Sequence, residues 1–468
     1  MNLQSIKKNI QKNGIRGALK KYTKKAAQMT IGIEDHEKKY TILLLTNKDS
    51  DNTGDQVIEA CDLSLLYTIM KNLGITNYRI NSKPESSVKK PYDDPKGPHL
   101  VPIRKAIQDC DVVVFGGTPV FNYLYQSFYE QTALTIEIAE EYGKPMIFSA
   151  VGVDRYDEGN KKCERLVQVI NKPNVLQITT RDNFDSLKQF RYKDNVQLVI
   201  DTVSDPAVFS KTVFRSYLAN EKTEKKKIGV FVLRSGGFTD NQINLPKEKA
   251  AELWKNVIQE LEQRGYDYEL LTSGHYSDEA FLDYLIRNYG VKPEKAIFNV
   301  NAPETLVGKI SEYDAVISCR LHPSIISFAI GVPSVGINWN NKVSGFYHNI
   351  GYDSRVLYPD KITAKAVVDR VEQAMQEGVQ QDSDYLMSVY TTLFVALKRI
   401  FCPDNQAVPY SYEQVKRELV PYSGTSEEEQ LAKLRRKFRR MYFSYNKLQD
   451  QDIENQNRIK EFEDQGIL

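Results

Sequence analysis

Residues 111–119, Asp-Val-Val-Val-Phe-Gly-Gly-Thr-Pro, hold the pattern that decides the fold: an unbroken apolar, β-branched run that stops at a glycine corner. A strand buried on both faces reads this way, because a parallel sheet carries helices on each side. Working outward, the same pattern recurs at 41–46 (TILLLT), 145–150 (PMIFSA), 175–180 (VLQITT) and 196–202 (VQLVIDT). Between these runs, 58–73 and 125–142 space their apolar residues as helices do. They end at Gly74 and Gly143, the usual helix stop. Alternation of this kind is the signature of parallel βαβ units.

A charged stretch, Asn220 to Lys227 (NEKTEKKK), interrupts the pattern. A second series then starts at 228–233 (IGVFVL) and continues at 268–272, 296–300, 315–318 (AVIS) and 334–338 (SVGIN). The chain of 468 residues exceeds what one hydrophobic core usually serves. The expected architecture is therefore α/β, with two Rossmann-like domains facing across a cleft and helical N- and C-terminal extensions. The expected divisions are a basic segment at 1–37, a first domain at 38–215, a second at 216–360 and a helical extension at 361–468.

Composition narrows the class. A formal net charge of +2 gives no global reason to expect nucleic acid as a partner. The five cysteines are scattered and form no Cys-x-x-Cys, so neither a disulfide framework nor a metal site is expected. No apolar run reaches the roughly 18 residues that span a bilayer, and the N-terminus lacks the apolar block of a secretion signal. The expected location is the cytoplasm, with the inner face of the membrane open. Two basic runs allow peripheral contact with anionic lipid: Met1–Thr30, which has eight Lys and Arg and no acid, and LRRKFRRMYF from Leu434. A solvated helix face, or for the first a partly disordered one, is the commoner explanation of both.

In an open parallel sheet a ligand sits beyond the carboxyl ends of the strands, so the loops after the apolar runs carry the candidate chemistry. The first holds Asn52-Thr53-Gly54-Asp55, which suits either a helix cap or a ligand contact. The second is the corner Gly116-Gly117, whose amides could meet an oxyanion or a sugar hydroxyl. The third holds Arg181-Asp182, where a guanidinium fork suits carboxylate or phosphate, or pairs with a nearby acid. The fourth, Ser318-Cys319-Arg320-Leu321-His322-Pro323, puts a cation and an imidazole at a strand end and a helix start together. Anion binding and proton transfer combine at such a place. His275 also follows a strand and lines either the cleft or a loop, and Asp205-Pro206 offers a base for a hydroxyl or simply a turn.

These four loops, in this order, resemble the polysaccharide pyruvyl transferase family over roughly Tyr40 to Gly351. The matching pieces are Asn52-x-Gly54-Asp55, Gly116-Gly117, Arg181-Asp182, Asp205-Pro206, Arg320-Leu321-His322-Pro323, and Lys342 with Phe346 and Gly351. The corner departs from the family pattern, with Thr118-Pro119 standing where a third glycine and an aliphatic residue are usual.

The resemblance implies a GT-B-like pair of domains and phosphoenolpyruvate as donor substrate, with no cofactor and no metal. Arg181, Arg320, Leu321, His322 and Lys342 would bind the donor, and His322 and Arg320 would carry the chemistry. Asn52, Gly54, Asp55, Gly116, Gly117, Asp205 and His275 would line the acceptor side or the cleft. The implied acceptor is a glycan or lipid-linked glycan, left as a pyruvate ketal. Two other readings stay open: a GT-B nucleotide-sugar glycosyltransferase, and a non-catalytic scaffold in polysaccharide assembly.

Overall fold

The computed structural model describes residues 39–88, 100–123, 128–221, 224–298, 300–359 and 362–464. The basic segment 1–37 lies outside them. The first six strands are β1 (Tyr40–Thr46), β2 (Tyr78–Pro84), β3 (Val112–Gly116), β4 (Met146–Val151), β5 (Val175–Thr180) and β6 (Val199–Thr202). They form one sheet in the order β2-β1-β3-β4-β5-β6. The remaining six are β7 (Lys227–Phe231), β8 (Asp267–Leu271), β9 (Ala296–Ile297), β10 (Ala315–Ser318), β11 (Ser334–Ile337) and β12 (Val356–Leu357). They form a second sheet in the order β12-β11-β10-β7-β8-β9. Pairing is parallel in both, as in Leu44 with Val114 and Ile317 with Val230. Every residue of β3, β4, β10 and β11 is buried, as continuous apolar runs between two helical layers require.

Each sheet has its own core. Leu43, Phe115, Phe148 and Ile178 belong to the first, and Val230, Trp254, Leu270 and Ile317 to the second. The strands of the first sheet lie between Tyr40 and Thr202 and those of the second between Lys227 and Leu357.

Two strands escape sequence reading, and both lie at sheet edges. The β2 sequence, YRINSKP, is mostly polar and only half-buried. The β12 strand is two residues long. An edge strand has one paired side and need not be a continuous apolar run.

The chain crosses back at its C-terminal end. In the helix Ser383–Phe401, Leu386, Val389, Leu393 and Leu397 are buried. Its backbone carbonyls at Leu386 and Thr392 accept from Ser204 Oγ at 3.1 Å and Gln177 Nε2 at 3.3 Å. A helix that follows the second sheet in sequence thus packs against the first.

Candidate active site

The N-terminus of the helix Thr53–Asn72 meets loops of the second sheet. Thr53 donates from its backbone N to Ser273 O at 2.7 Å and from its hydroxyl to Val300 O at 2.9 Å. Asn52 caps this helix, its Oδ1 accepting from Gly54 N at 3.3 Å. That orientation turns the amide Nδ2 toward His322, whose Nδ1 is 3.1 Å away. An amide nitrogen only donates, so Nδ1 is the acceptor and the proton of the neutral imidazole sits on Nε2.

Gly54 permits the approach. A Cβ added there would lie 2.3 Å from both Cβ and Nδ1 of His322. One turn of helix therefore supplies a cap, a gap for the imidazole and a carboxylate. The carboxylate is Asp55, which accepts from Asn47 Nδ2 at 2.9 Å and puts Oδ1 3.7 Å from His322 Nε2. Burial raises its pKa to about 6, against hydrogen bonds and the Arg181 charge that pull it down.

His322 itself is in the first turn of the helix Leu321–Ile330 and is buried. Burial drives its pKa well below the ordinary value, and Arg181, Lys342 and Arg320 add to the effect. The unliganded imidazole is neutral. Arg320 caps the same helix, yet its guanidinium is already engaged: Nε and Nη2 lie 2.8 and 2.7 Å from the two carboxylate oxygens of Asp278. Its plane sits over the Trp339 ring, 5.4 Å from the centroid.

Arg181 projects from the end of β5. The approach to it is shaped by an irregularity in β4, where the pairing shifts between Phe148 and Val151 and Ala150 takes φ 53°. Bulges of this kind re-aim strand ends beside functional sites. The bulged Val151 O accepts from Thr180 Oγ1 at 2.9 Å and from Arg181 N at 3.4 Å. The Arg181 side chain is buried and bonds through Nη1 to Asp205 Oδ2 at 2.5 Å. The sequence reading left open whether Arg181 meets a ligand or an acid, and the structure gives it an acid on one side.

A single cavity of about 1410 Å³ gathers most of the candidates. Asn52, Asp55 and Arg181 from the first sheet's loops line it together with His275, Arg320, Leu321, His322 and Lys342 from the second's. Among the described residues, four buried polar atoms on its walls lack a hydrogen-bond partner: Arg181 Nε, Asp182 Oδ2, His322 Nε2 and Trp339 Nε1. Buried polar groups are nearly always paired, so a wall with four orphans is shaped for a polar ligand.

Four sequence candidates stand elsewhere. Gly54 lies under the imidazole, as described. Gly116 and Gly117 face inward, where a Cβ would lie 2.1 Å from Asp62 Oδ2 and 2.2 Å from Ile58 respectively. The amide of Gly117 is spent on Ser149 O at 2.9 Å. Here the corner lets a helix close on a strand, and Pro119 reaches the cavity in its place. Asp205 is buried behind Arg181, with its other oxygen capping Ala207 N at 2.8 Å. It positions the guanidinium and is not itself among the residues that line the cavity. His275 lines the cavity and also caps the helix Tyr276–Tyr289, its Nδ1 accepting from Ser277 N at 3.4 Å.

The sequence reading missed Asp278 and Trp339. Asp278 looks like an ordinary acid in a first helical turn, and its partner Arg320 is 42 positions away. Arg155 and Arg234 also line the cavity and went unremarked.

Residues 52–341, more than half of the chain, match the family described as polysaccharide pyruvyl transferase. The chain belongs to the polysaccharide pyruvyl transferase family. The match runs from the capping Asn52 to the residue before Lys342 and so spans almost the whole set of cavity-lining candidates. No curated protein matches the chain in sequence.

Among solved structures, a Listeria monocytogenes protein assigned as a UDP-N-acetylglucosamine 2-epimerase is similar at 9% identity and TM-score 0.51, covering 80% of this chain and 100% of that one. The UDP-GlcNAc 2-epimerase of Methanocaldococcus jannaschii gives 12% identity and TM-score 0.48, over 77% and 99%. The Escherichia coli ADP-heptose LPS heptosyltransferase II gives 15% and 0.37, over 72% and 99%. At these identities the likeness concerns the GT-B-like α/β fold alone. Among the described residues no helix is long and apolar enough to cross a membrane.

Proposed function

We propose that this family member transfers the enolpyruvyl unit of phosphoenolpyruvate to hydroxyls of a cell-surface glycan or its lipid-linked precursor, leaving a pyruvate ketal. One observation carries the reading: Arg181, from one sheet, lines the same cavity as Arg320, His322 and Lys342, from the other, and both Arg181 Nε and His322 Nε2 lack a hydrogen-bond partner among the described residues. Phosphoenolpyruvate carries a phosphate and a carboxylate and needs cations on two sides. Its methylene carbon must also gain a proton, which asks for an acid between them.

The resting site has the cations but a neutral acid. Arg181, Lys342 and Arg320 repel a second proton on His322. A bound polyanion cancels that repulsion and raises the imidazole pKa, so the donor charges its own acid. Asp55, titrating about pH 6 beside Nε2, is placed to resupply the proton.

Protonation of the methylene leaves positive charge on the neighbouring carbon, and the first sugar hydroxyl adds there and loses its proton. The C–O bond to phosphate then breaks, with the guanidinium of Arg320 and the ammonium of Lys342 stabilising the departing oxyanion. The second hydroxyl closes the ketal, and its proton leaves with phosphate. The scheme calls on no metal or cofactor.

The test is phosphate release from phosphoenolpyruvate with a panel of soluble and lipid-linked glycans. His322→Ala should abolish release while the melting temperature stays close to that of the parent. Unchanged release in that variant rejects the role of His322. Thermal protection by a uridine diphosphate sugar and none by phosphoenolpyruvate rejects the donor.

A further inference from the structure

The C-terminal helix Glu427–Asp464 has its polarity inside out. It docks on the body through charged and polar side chains. Lys433 Nζ reaches Gln56 Oε1 at 2.7 Å, Lys437 Nζ reaches Glu279 Oε1 at 2.6 Å, Arg440 Nη1 reaches Asp51 Oδ1 at 2.9 Å, and Ser444 Oγ meets Tyr276 OH at 2.9 Å. The apolar residues point elsewhere: Leu448 is 64% exposed and Tyr445 59%.

These apolar positions keep a 3-4 spacing. Phe438, Met441, Tyr445, Leu448, Ile459 and Phe462 fall on the a and d sites of one heptad frame, and all six are exposed. Only Asp452 and Asn455 break the run. The frame continues for more than three heptads, the length at which such a repeat signals a coiled coil rather than chance. Residues 445–462 are exposed on every side, about 27 Å of helix at 1.5 Å per residue. A lone helix rich in Gln, Asn and Asp is marginal in water and takes its stability from packing.

We propose that this helix pairs with the same helix of a second copy of the chain, closing the seam as a two-stranded coiled coil. The flanking e and g sites favour self-pairing. Tyr442, Ser444, Gln449, Gln451, Gln456 and Arg458 include one charge, so two copies approach without a ladder of like charges. An anionic lipid surface fits less well. Three basic side chains of the docked segment are spent on the body, and 445–462 holds four acids against three bases. The polar pair Asp452 and Asn455 weakens the seam at one layer, as polar core sites do.

The experiment is light scattering and sedimentation of the full-length protein over a micromolar concentration series. The parent should run at twice the single-chain mass. Leu448→Glu combined with Ile459→Glu should return it to the single-chain mass with the melting of the body unchanged, and Asp452→Leu should tighten the dimer about tenfold or more. A parent at single-chain mass throughout overturns the proposal, as does a dimer that neither variant alters. A monomeric parent that floats with phosphatidylserine vesicles assigns the stripe to lipid and overturns it equally.

Discussion

Asp55 Oδ1 lies 3.7 Å from His322 Nε2, and the two residues come from the first turns of helices that follow strands of different sheets. Both are buried, and burial moves the two groups in opposite directions, the carboxyl up to about 6 and the imidazole well below its usual value. Each is pushed toward its neutral form by the same desolvation. Below about pH 6 the pair thus rests with no charge of its own, between cations that await an anion.

The pH dependence of stability follows. Asp55 has a folded pKa above its unfolded one, so its contribution is fully present below about pH 4 and is lost as pH rises through 6. At pH 7.5 the ionised buried carboxylate costs on the order of 2–3 kcal/mol. Asp55→Asn should therefore raise the melting temperature at pH 7.5, with the gain shrinking below pH 5. Turnover should fall at the same time, because proton resupply to His322 is gone. Melting curves across that pH range check the first outcome, and phosphate release checks the second.

His322 has the opposite sign. Its folded pKa is depressed, so its contribution is present above the unfolded value of about 6.5 and is lost as pH falls below it. Asn52→Asp probes the group without removing the helix cap, since Asp and Asn cap equally well. A carboxylate about 3 Å from Nδ1 should move the imidazole proton from Nε2 to Nδ1 and raise its pKa. Ring nitrogen chemical shifts should report the changed tautomer, and turnover should drop at least about tenfold because the proton no longer faces Asp55. An unchanged tautomer would refute the orientation assigned to the Asn52 amide.

Gly54→Ala tests the close approach. The new methyl would meet the imidazole at 2.3 Å, so His322 must turn or the helix must shift. Overpacking of this kind costs about 1–3 kcal/mol. Both stability in denaturant and phosphate release should fall, although alanine is otherwise the better helix former.

Most of the architecture was legible because buried parallel strands need apolar runs, and DVVVFG or AVIS allows no other reading. The edge strands β2 and β12 were illegible for the reverse reason. At the site, strand-end logic pointed to Arg181, Arg320 and His322, which line one cavity. It could not tell that Gly116 and Gly117 face Asp62 and Ile58, because a glycine that admits a ligand and one that admits a neighbouring helix look identical in sequence. Asp205 was read as a base for a hydroxyl or a turn, and Asp278 was not singled out. Each pairs with an arginine distant in sequence, and only the fold brings the partners together.

That last pairing yields the sharpest prediction. Asp278 is wholly buried, grips Arg320 through both oxygens and accepts from Arg234 N at 2.8 Å. Removing one partner of a buried ion pair strands the other, at about 3–5 kcal/mol. Asp278→Ala should therefore lower the melting temperature steeply, whereas Asp278→Asn keeps one acceptor and should fold. In the Asn variant the guanidinium is released from its fork and drifts from its place over Trp339. If Asp278 acts by positioning Arg320, KM for phosphoenolpyruvate should rise and kcat should fall together in Asp278→Asn, and Arg320→Ala should add little further loss on top of it. Independent, additive losses in the double variant would show that the two residues do not work as a unit.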